Sequence, residues 1–238
     1  MSKLADHGVP VGISAAMMSA FPDCHATDRH AAEASSASIA SSATAPGDAP
    51  SSQEVPFSAE ASEAAVFNHK GVAAGLEVAV FAGGCFWGME ELLRHTEGVV
   101  ETQVGYAGGA DDTASYGEVS TGTTRHAESV KVVYDPSKTT YTKLVQWFFR
   151  IHDPTTRDRQ GHDVGTQYRS VIFYQTREQG VAANEVKAAA ERSGKLDGPI
   201  ATQIVPAMRF LSAEEVHQDY LQRHPDGYTC HFARPDIF

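Results

Sequence analysis

Cysteine is scarce in this 238-residue chain, which contains only Cys24, Cys85 and Cys230. An odd and widely spaced set of this kind excludes the disulfide framework that stabilises small secreted domains. The thiols are therefore candidates for chemistry rather than for scaffolding. Cys24 is the exception, because it falls in an N-terminal segment of low hydrophobic content and is expected to be incidental.

The chain also lacks a long apolar run, a basic block and a phosphate-binding loop. No stretch approaches the roughly 20 consecutive apolar residues of a membrane span. With 19 Lys and Arg against 30 Asp and Glu, the formal net charge is −11, which makes the protein a poor partner for nucleic acid or an anionic membrane. Because no glycine-rich phosphate motif follows a predicted strand, a nucleotide-binding fold has no support.

Large side chains are sparse in residues 1–74, where Ser, Ala and Pro dominate the stretch 34–52. Such a composition offers too little apolar surface to offset the entropy of ordering. We predict a disordered tail at 1–74 and one folded domain at 75–238. Residues 9–21 are weakly apolar, but Asp6 and Pro10 interrupt the approach to them and no convincing cleavage site follows. We therefore expect a cytoplasmic protein, and a monomer.

Hydrophobic periodicity within 75–238 predicts a mixed α+β domain. The pattern gives the order β-α-β-β-α-β-α-β-α, with a polar loop at 155–167 and one helical turn at most within 110–125. A β-α-β-β-α-β core with additions is typical of a two-layer ferredoxin-like sandwich. Strands are predicted at 76–81, 99–106, 128–134, 168–174 and 200–205, and helices at 85–96, 141–152, 176–193 and 212–223.

The stretch Gly84-Cys85-Phe86-Trp87-Gly88 joins the first predicted strand to the first helix. This places Cys85 at a helix N-terminus, where the backbone N–H groups and the helix dipole favour a thiolate. Gly83 and Gly84 remove side-chain bulk before the cysteine, so that another molecule can approach its sulfur. A buried core cysteine is the alternative for this stretch taken by itself.

Five blocks together resemble peptide methionine sulfoxide reductase of the A type. They are Gly-Cys-Phe-Trp-Gly at 84–88, Gly-Tyr-Ala-Gly-Gly at 105–109, His-Ala-Glu at 126–128, His-Asp-Pro-Thr at 152–155 and Gly-Thr-Gln-Tyr-Arg-Ser at 165–170. The resemblance covers about residues 76 to 232. It departs from the family pattern at 113–115, which are Thr-Ala-Ser where Asn-Pro-Thr is frequent, and at His162, where Asn is common.

The resemblance implies a set of site residues and no metal or cofactor. Cys85 is then the nucleophile, Glu128 the buried acid, Tyr116 and Tyr168 the hydroxyl donors, Asp163 a further polar contact, and Phe86 and Trp87 the walls that hold the substrate methyl group. The chemistry suits these residue types. Attack by sulfur makes the leaving oxygen basic, and a buried Glu that keeps its proton near neutral pH can supply the acid. Tyrosine hydroxyls stabilise charge on that oxygen.

The expected reaction reduces methionine S-sulfoxide, free or in proteins, and leaves Cys85 as a sulfenic acid. Cys230 lies in a C-terminal segment that looks flexible, and it is the candidate for a disulfide with Cys85 that a thioredoxin-like reductant then opens. The alternative is that Cys230 is structural and that an external reductant attacks the sulfenic acid directly. The other candidate residues also have purely structural alternatives. Asp163, for example, can cap a turn.

Two other functions remain open from the residues themselves. A cysteine-dependent acyl-transfer enzyme would use Cys85 with a histidine base, although no evident His partnered by Asn or Asp is present. A peptide-binding module would use Phe86 and Trp87 as a methionine pocket without catalysis.

Overall fold

The computed structural model describes residues 72–110, 112–207 and 209–238. The predicted disordered tail at 1–74 therefore lies, except for its last three residues, outside the described part, and so does Cys24. The elements are β1 (Glu77–Gly83), α1 (Phe86–Arg94), β2 (Val99–Ala107), α2 (Tyr116–Val119), β3 (Ala127–Tyr134), α3 (Tyr141–Ile151), β4 (Arg159–Gln160), β5 (Asp163–Val164), a 3-10 turn (Thr166–Tyr168), β6 (Ser170–Tyr174), α4 (Arg177–Arg192), β7 (Gln203–Pro206), β8 (Leu211–Ser212) and α5 (Tyr220–Arg223).

Six strands form one mixed sheet in the order β7-β6-β1-β3-β2-β8. The four central strands are antiparallel, and their order β6-β1-β3-β2 is that of a ferredoxin-like β-α-β-β-α-β unit. At one edge β7 adds parallel to β6, and at the other β8 adds antiparallel to β2. The predicted two-layer α+β fold with added strands and helices is therefore confirmed.

The main core lies between one face of this sheet and the three longest helices. Strand side chains that alternate toward this face, such as Phe81 and Val132, meet buried side chains such as Leu93 and Phe148. The rings of Phe81 and Phe148 stack with centroids 5.0 Å apart. On the opposite face a smaller apolar cluster includes Val80. Within the described part, no helix is long and apolar enough to cross a membrane.

The predicted loop at 110–125 contains the one expected helical turn, α2. Ser115 caps this turn, and Glu118 completes a capping box with the Ser115 backbone. The polar segment at 155–167 was predicted as a loop throughout, but it contains the small hairpin β4–β5 and the 3-10 turn. The predicted strand at 168–174 begins only at Ser170, because Tyr168 belongs to that turn.

The predicted helix at 212–223 is wrong for most of its length. Ser212 pairs with Gly105 as part of β8, and Gln218 bonds the backbone of β2 by accepting from Val104 N and donating to Val104 O, both at 2.9 Å. These long-range bonds replace the first helical turns. Only α5 is helical, and it starts after Asp219, whose φ is +51°.

Gly84 connects β1 to α1 and carries both a backbone and a packing constraint. Its φ of +114° lies in a region that side chains avoid, and a Cβ atom there would come within 2.6 Å of Gln160 Cβ and 3.1 Å of His231 Cε1. The link between strand and helix is thus packed against two distant segments, which fixes the start of α1.

We expect Gly84→Ala to lower the free energy of unfolding by about 2–4 kcal/mol, since backbone strain and overpacking add. Gly194→Ala is the matched control, because its φ of +67° carries strain but nothing lies within 4 Å of the added Cβ. That control should cost about 1 kcal/mol. Urea unfolding measures both, and equal losses would contradict the packing role of Gly84.

Candidate active site

Cys85 is the residue before the first turn of α1 and is only 7% exposed. Burial is the largest influence on its thiol and raises the pKa well above the ordinary value. The neighbouring Glu128 carboxyl raises the pKa further, while the Trp87 N–H, which faces the sulfur, lowers it. Burial outweighs the helix N-terminus, so the expectation of a resting thiolate is wrong.

Glu128 sits on the central strand β3, opposite Tyr106 on β2. Its Oε2 atom accepts the Phe86 N–H at 3.0 Å, which brings the carboxyl next to the residue that follows Cys85. Burial raises the pKa of Glu128 to about 8, with Asp163 adding to the increase and the bond from Phe86 opposing it. Glu128 is therefore mostly protonated at neutral pH and holds a proton beside the cysteine.

Tyr116 and Tyr168 reach the same place from two different loops. Burial raises the pKa of both phenols, and the next contribution to each is the charge of Glu128. Cys85 and Asp163 act on both as well. The structure therefore brings together the cysteine, the two carboxyls and the two tyrosines, and it keeps both hydroxyls protonated as hydrogen-bond donors.

The position of Tyr116 depends on Glu214, which the sequence did not single out as a site residue. Glu214 Oε1 accepts the Tyr116 N–H at 2.7 Å, and its Oε2 accepts the Tyr106 hydroxyl at 2.8 Å. The carboxylate thus ties α2 to strand β2. In the sequence, Glu214 stands in the segment 212–223 that is predicted as a helix, and a helix does not indicate a bond to Tyr116.

The motif at 165–170 positions Tyr168 and holds the loop that follows α2. The Thr166 hydroxyl donates to Gly122 O at 2.7 Å, and the Gln167 amide donates to Ser120 O at 3.1 Å. Arg169 donates to Arg125 O at 2.8 Å. These bonds to main-chain carbonyls explain how two loops place two tyrosines in one site.

The two predicted pocket walls differ in exposure. Phe86 is 1% exposed, whereas Trp87 is partly exposed and stacks on Tyr220 with ring centroids 3.9 Å apart. The Trp87 indole N–H donates to His217 Nδ1 at 3.2 Å, and the His217 ring also lies 4.4 Å from that of Tyr116. Tyr220 and His217 complete an aromatic cluster that sequence reasoning missed.

Cys230 lies against the site in a segment that is irregular but packed. A Cβ atom at Gly88 would overlap Thr229 Oγ1, and the buried His231 ring contacts Ile151 O through Nδ1 at 3.0 Å. The Cys85 N–H faces the Cys230 sulfur. Both cysteines are free thiols, and the C-terminal segment is docked on α1 rather than extended from the domain.

Asp163 links this segment to the hairpin β4–β5. Its Oδ2 atom accepts the Cys230 thiol at 3.3 Å and the Tyr228 hydroxyl at 3.1 Å. Burial, followed by Asp163, raises the pKa of Cys230 to about 12. Among residues 72–110, 112–207 and 209–238, no group of three or more His, Cys, Asp and Glu side chains could hold a metal ion.

Comparison with known proteins agrees with this geometry. The family model described as peptide methionine sulfoxide reductase matches residues 77–236. The peptide methionine sulfoxide reductase MsrA of Nocardia farcinica is 52% identical over 158 residues, which cover 66% of this chain and 91% of that protein.

Two solved structures are also similar. The crystal structure of Mxr1 from Saccharomyces cerevisiae in reduced form is 40% identical with a TM-score of 0.63, and the match covers 68% of this chain and 93% of that one. Methionine sulfoxide reductase A of Corynebacterium diphtheriae is 41% identical with a TM-score of 0.62, over 66% of this chain and 79% of that one. The chain belongs to the peptide methionine sulfoxide reductase family and is an MsrA-type enzyme that reduces methionine sulfoxide at the expense of a thiol.

Proposed function

We propose that Cys85 attacks the sulfur of methionine S-sulfoxide and that Glu128 supplies the proton to the departing oxygen. The observation that carries this proposal is the 3.0 Å bond between Phe86 N and Glu128 Oε2, which places a protonated carboxyl beside the cysteine. A general acid with a pKa near the working pH is the form that such a step requires.

The step moves one oxygen atom from substrate to enzyme. A bond forms between the Cys85 sulfur and the sulfoxide sulfur as Glu128 protonates the oxygen. The substrate sulfur–oxygen bond and then the sulfur–sulfur bond break as the oxygen bonds to Cys85, which leaves a sulfenic acid and releases methionine. The substrate sulfur is reduced to the thioether and the cysteine sulfur is oxidised. The thiol proton replaces the proton given by Glu128, so charge balances over the step.

Tyr116, Tyr168 and Trp87 provide the rest of the site in this proposal. The two hydroxyls donate to the sulfoxide oxygen as negative charge develops on it. The partly exposed face of Trp87 holds the methyl group, because an aromatic ring offers a large apolar surface. Phe86 supports that ring from the buried side, with centroids 6.4 Å apart.

We further propose that Cys230 attacks the sulfenic acid to form a disulfide with Cys85, and that a thioredoxin-like dithiol restores both thiols. The Cys230 sulfur faces the Cys85 backbone, which supports this second step. Two free thiols that must be regenerated fit a reducing compartment such as the cytoplasm. Oxidised methionine in proteins or free is the proposed substrate, and we propose that the enzyme acts as a monomer without nucleic acid.

The family assignment decides among the three functions that the sequence left open. The reductase function is confirmed, so acyl transfer and non-catalytic peptide binding are not the function of this chain. The contacts of the neighbouring histidines also speak against a Cys–His pair for acyl transfer. His217 Nδ1 accepts from the Trp87 indole N–H, and His231 Nδ1 contacts the Ile151 carbonyl.

We expect Cys85→Ser to abolish methionine formation from free or dabsylated methionine sulfoxide with dithiothreitol. The hydroxyl is a far weaker nucleophile toward sulfur than the thiol. Methionine is quantified by chromatography for each sulfoxide epimer. Loss of turnover on the S epimer is expected, and retained turnover in this variant would remove Cys85 from the mechanism.

Glu128→Gln should slow the single-turnover formation of methionine about 10²- to 10⁴-fold and leave substrate binding unchanged, because the amide cannot donate the proton. Glu128 is protonated below its pKa of about 8, so the wild-type rate should fall as the pH rises through 8. The variant should lack that fall. Rapid-quench assays from pH 6 to 9 measure both effects.

Glu90→Gln is the matched control for that change. Glu90 is also a buried glutamate with a raised pKa, yet it pairs with Arg94 away from Cys85. Its replacement should leave the single-turnover rate and the fall near pH 8 intact. An unchanged rate in Glu128→Gln would refute the proposed acid.

Cys230→Ser should produce one methionine per enzyme and then stop when thioredoxin is the reductant, since only regeneration is affected. Cys24→Ser should cycle like the wild type. Methionine is counted over time with thioredoxin, thioredoxin reductase and NADPH. Full thioredoxin-dependent cycling in Cys230→Ser would favour the alternative in which Cys230 is structural.

A further inference from the structure

The hairpin β4–β5 presents Asp163 directly to Cys230. Its strands pair Gln160 with Asp163 and are joined by a two-residue turn. Gly161 in that turn has a φ of +57°, and a Cβ atom there would lie 3.2 Å from Cys230 Cβ. The absence of a side chain at the turn therefore lets the hairpin and the cysteine approach closely.

The hairpin is anchored by Gln160, which is 1% exposed. Its side-chain amide bonds the backbone of Asp153 twice, accepting from Asp153 N at 3.1 Å and donating to Asp153 O at 3.2 Å. Its aliphatic part packs over Gly84, next to Cys85. Because Asp163 is paired with this anchored residue, its carboxylate is held against Cys230, and its charge also acts on Cys85.

One oxygen of Asp163 accepts two hydrogen bonds from the C-terminal segment. Oδ2 accepts the Cys230 thiol at 3.3 Å and the Tyr228 hydroxyl at 3.1 Å. Burial and the Asp163 charge raise the pKa of Cys230 to about 12, so the thiol is protonated at neutral pH. A protonated thiol is a poor nucleophile, and attack on a sulfenic acid requires its proton to be removed.

We infer that Asp163 is the proton acceptor for Cys230 when its sulfur attacks the sulfenic acid of Cys85. This inference rests on the proposed function, in which that disulfide forms. The Cys230 S–H bond breaks and its proton passes to Asp163, the sulfur–sulfur bond forms, and the bond between Cys85 sulfur and hydroxyl breaks.

The products are a disulfide and one water molecule. The hydroxyl leaves as water with a proton from Glu128, and solvent restores both carboxyls to their starting states. The sulfenic sulfur is reduced as the thiol sulfur is oxidised, so no external oxidant is needed. The two carboxyls thus have different roles in the proposed cycle. The buried Glu128 donates a proton to oxygen, and the partly exposed Asp163 accepts a proton from sulfur.

The test follows the oxidised enzyme in the absence of any reductant. Each variant receives one equivalent of methionine S-sulfoxide, and mass spectrometry separates the dimedone-trapped sulfenic acid from the disulfide over time. Wild type should give the disulfide, and Cys230→Ser should give only the trapped sulfenic acid. Asp163→Asn should accumulate the sulfenic acid and form the disulfide about 10²-fold more slowly.

Tyr228→Phe is the matched control, because it removes the second donor to Asp163 and keeps the carboxylate. Its disulfide should form within about tenfold of the wild-type rate, because only the hydrogen bonds of the Tyr228 hydroxyl to Asp163 and to the Cys230 sulfur are lost and the proton acceptor remains. Disulfide formation at the wild-type rate in Asp163→Asn would overturn the inference. If wild type itself forms no disulfide, the proposed role of Cys230 fails instead.

The pH profile of disulfide formation distinguishes a base from a merely structural contact. The titratable and charged groups around Cys230 are Asp163, Tyr228, Cys85 and Arg234. In Asp163→Asn the rate should rise about tenfold per pH unit from pH 6 to about 8, because Cys230 must ionise unaided while Glu128, which protonates the leaving hydroxyl, keeps its proton up to its pKa of about 8. Wild type should show a flatter profile, and identical profiles would overturn the assignment.

Discussion

The hydrogen bond from the Phe86 N–H to Glu128 is the interaction on which the site depends. Glu128 belongs to β3, a strand paired on both sides, so its backbone is fixed by the sheet and its carboxyl is held by the bond from Phe86. A pKa of about 8 against an ordinary 4.5 corresponds to roughly 5 kcal/mol in favour of the protonated form. This value already includes the opposing bond from Phe86, and a hydrogen bond to a charged group contributes about 1.5–3 kcal/mol. Burial therefore prevails over the single bond, and the acid keeps its proton.

The same burial keeps the nucleophile neutral. The Cys85 thiol has a raised pKa for the reason that Glu128 has one, and each group would oppose the ionisation of the other. A thiol and a carboxyl that are both uncharged suit a neutral substrate whose sulfur–oxygen bond is strongly polar. Charge then appears only as the sulfur–sulfur bond begins to form, where the hydroxyls of Tyr116 and Tyr168 are available to stabilise it.

Local pattern was sufficient to predict most of the fold. The strand before Cys85 and the helix after it follow from hydrophobic period and glycine positions within short windows, and the ferredoxin-like core follows from the order of the elements along the chain. The C-terminal part could not be predicted in this way. Glu214 and His217 act on Tyr116 and Trp87, about a hundred residues away, and no local period carries such contacts.

The protonation state of Cys85 could not be predicted from the sequence for a related reason. The start of a helix is a local feature, and it correctly indicated an N–H group facing the sulfur. Burial is the sum of many distant segments, and it decides the pKa. A prediction from the helix dipole, worth about 0.3–1 kcal/mol, therefore had the wrong sign, because burial is the largest influence on the Cys85 pKa and acts in the opposite direction.

The glycines around Cys85 acquire a different role from the one first assigned to them. The space beside Gly84 is filled by Gln160 and His231, and that beside Gly88 by Thr229. The room left by the missing side chains is thus occupied by the protein itself, by the two segments that carry Asp163 and Cys230. Because those segments are already seated on the start of α1, the second sulfur lies near the first before any substrate binds. The proposed disulfide therefore starts from two segments that are already docked on α1, and a proton transfer from Cys230 to Asp163 is the change that the proposal adds to this packing.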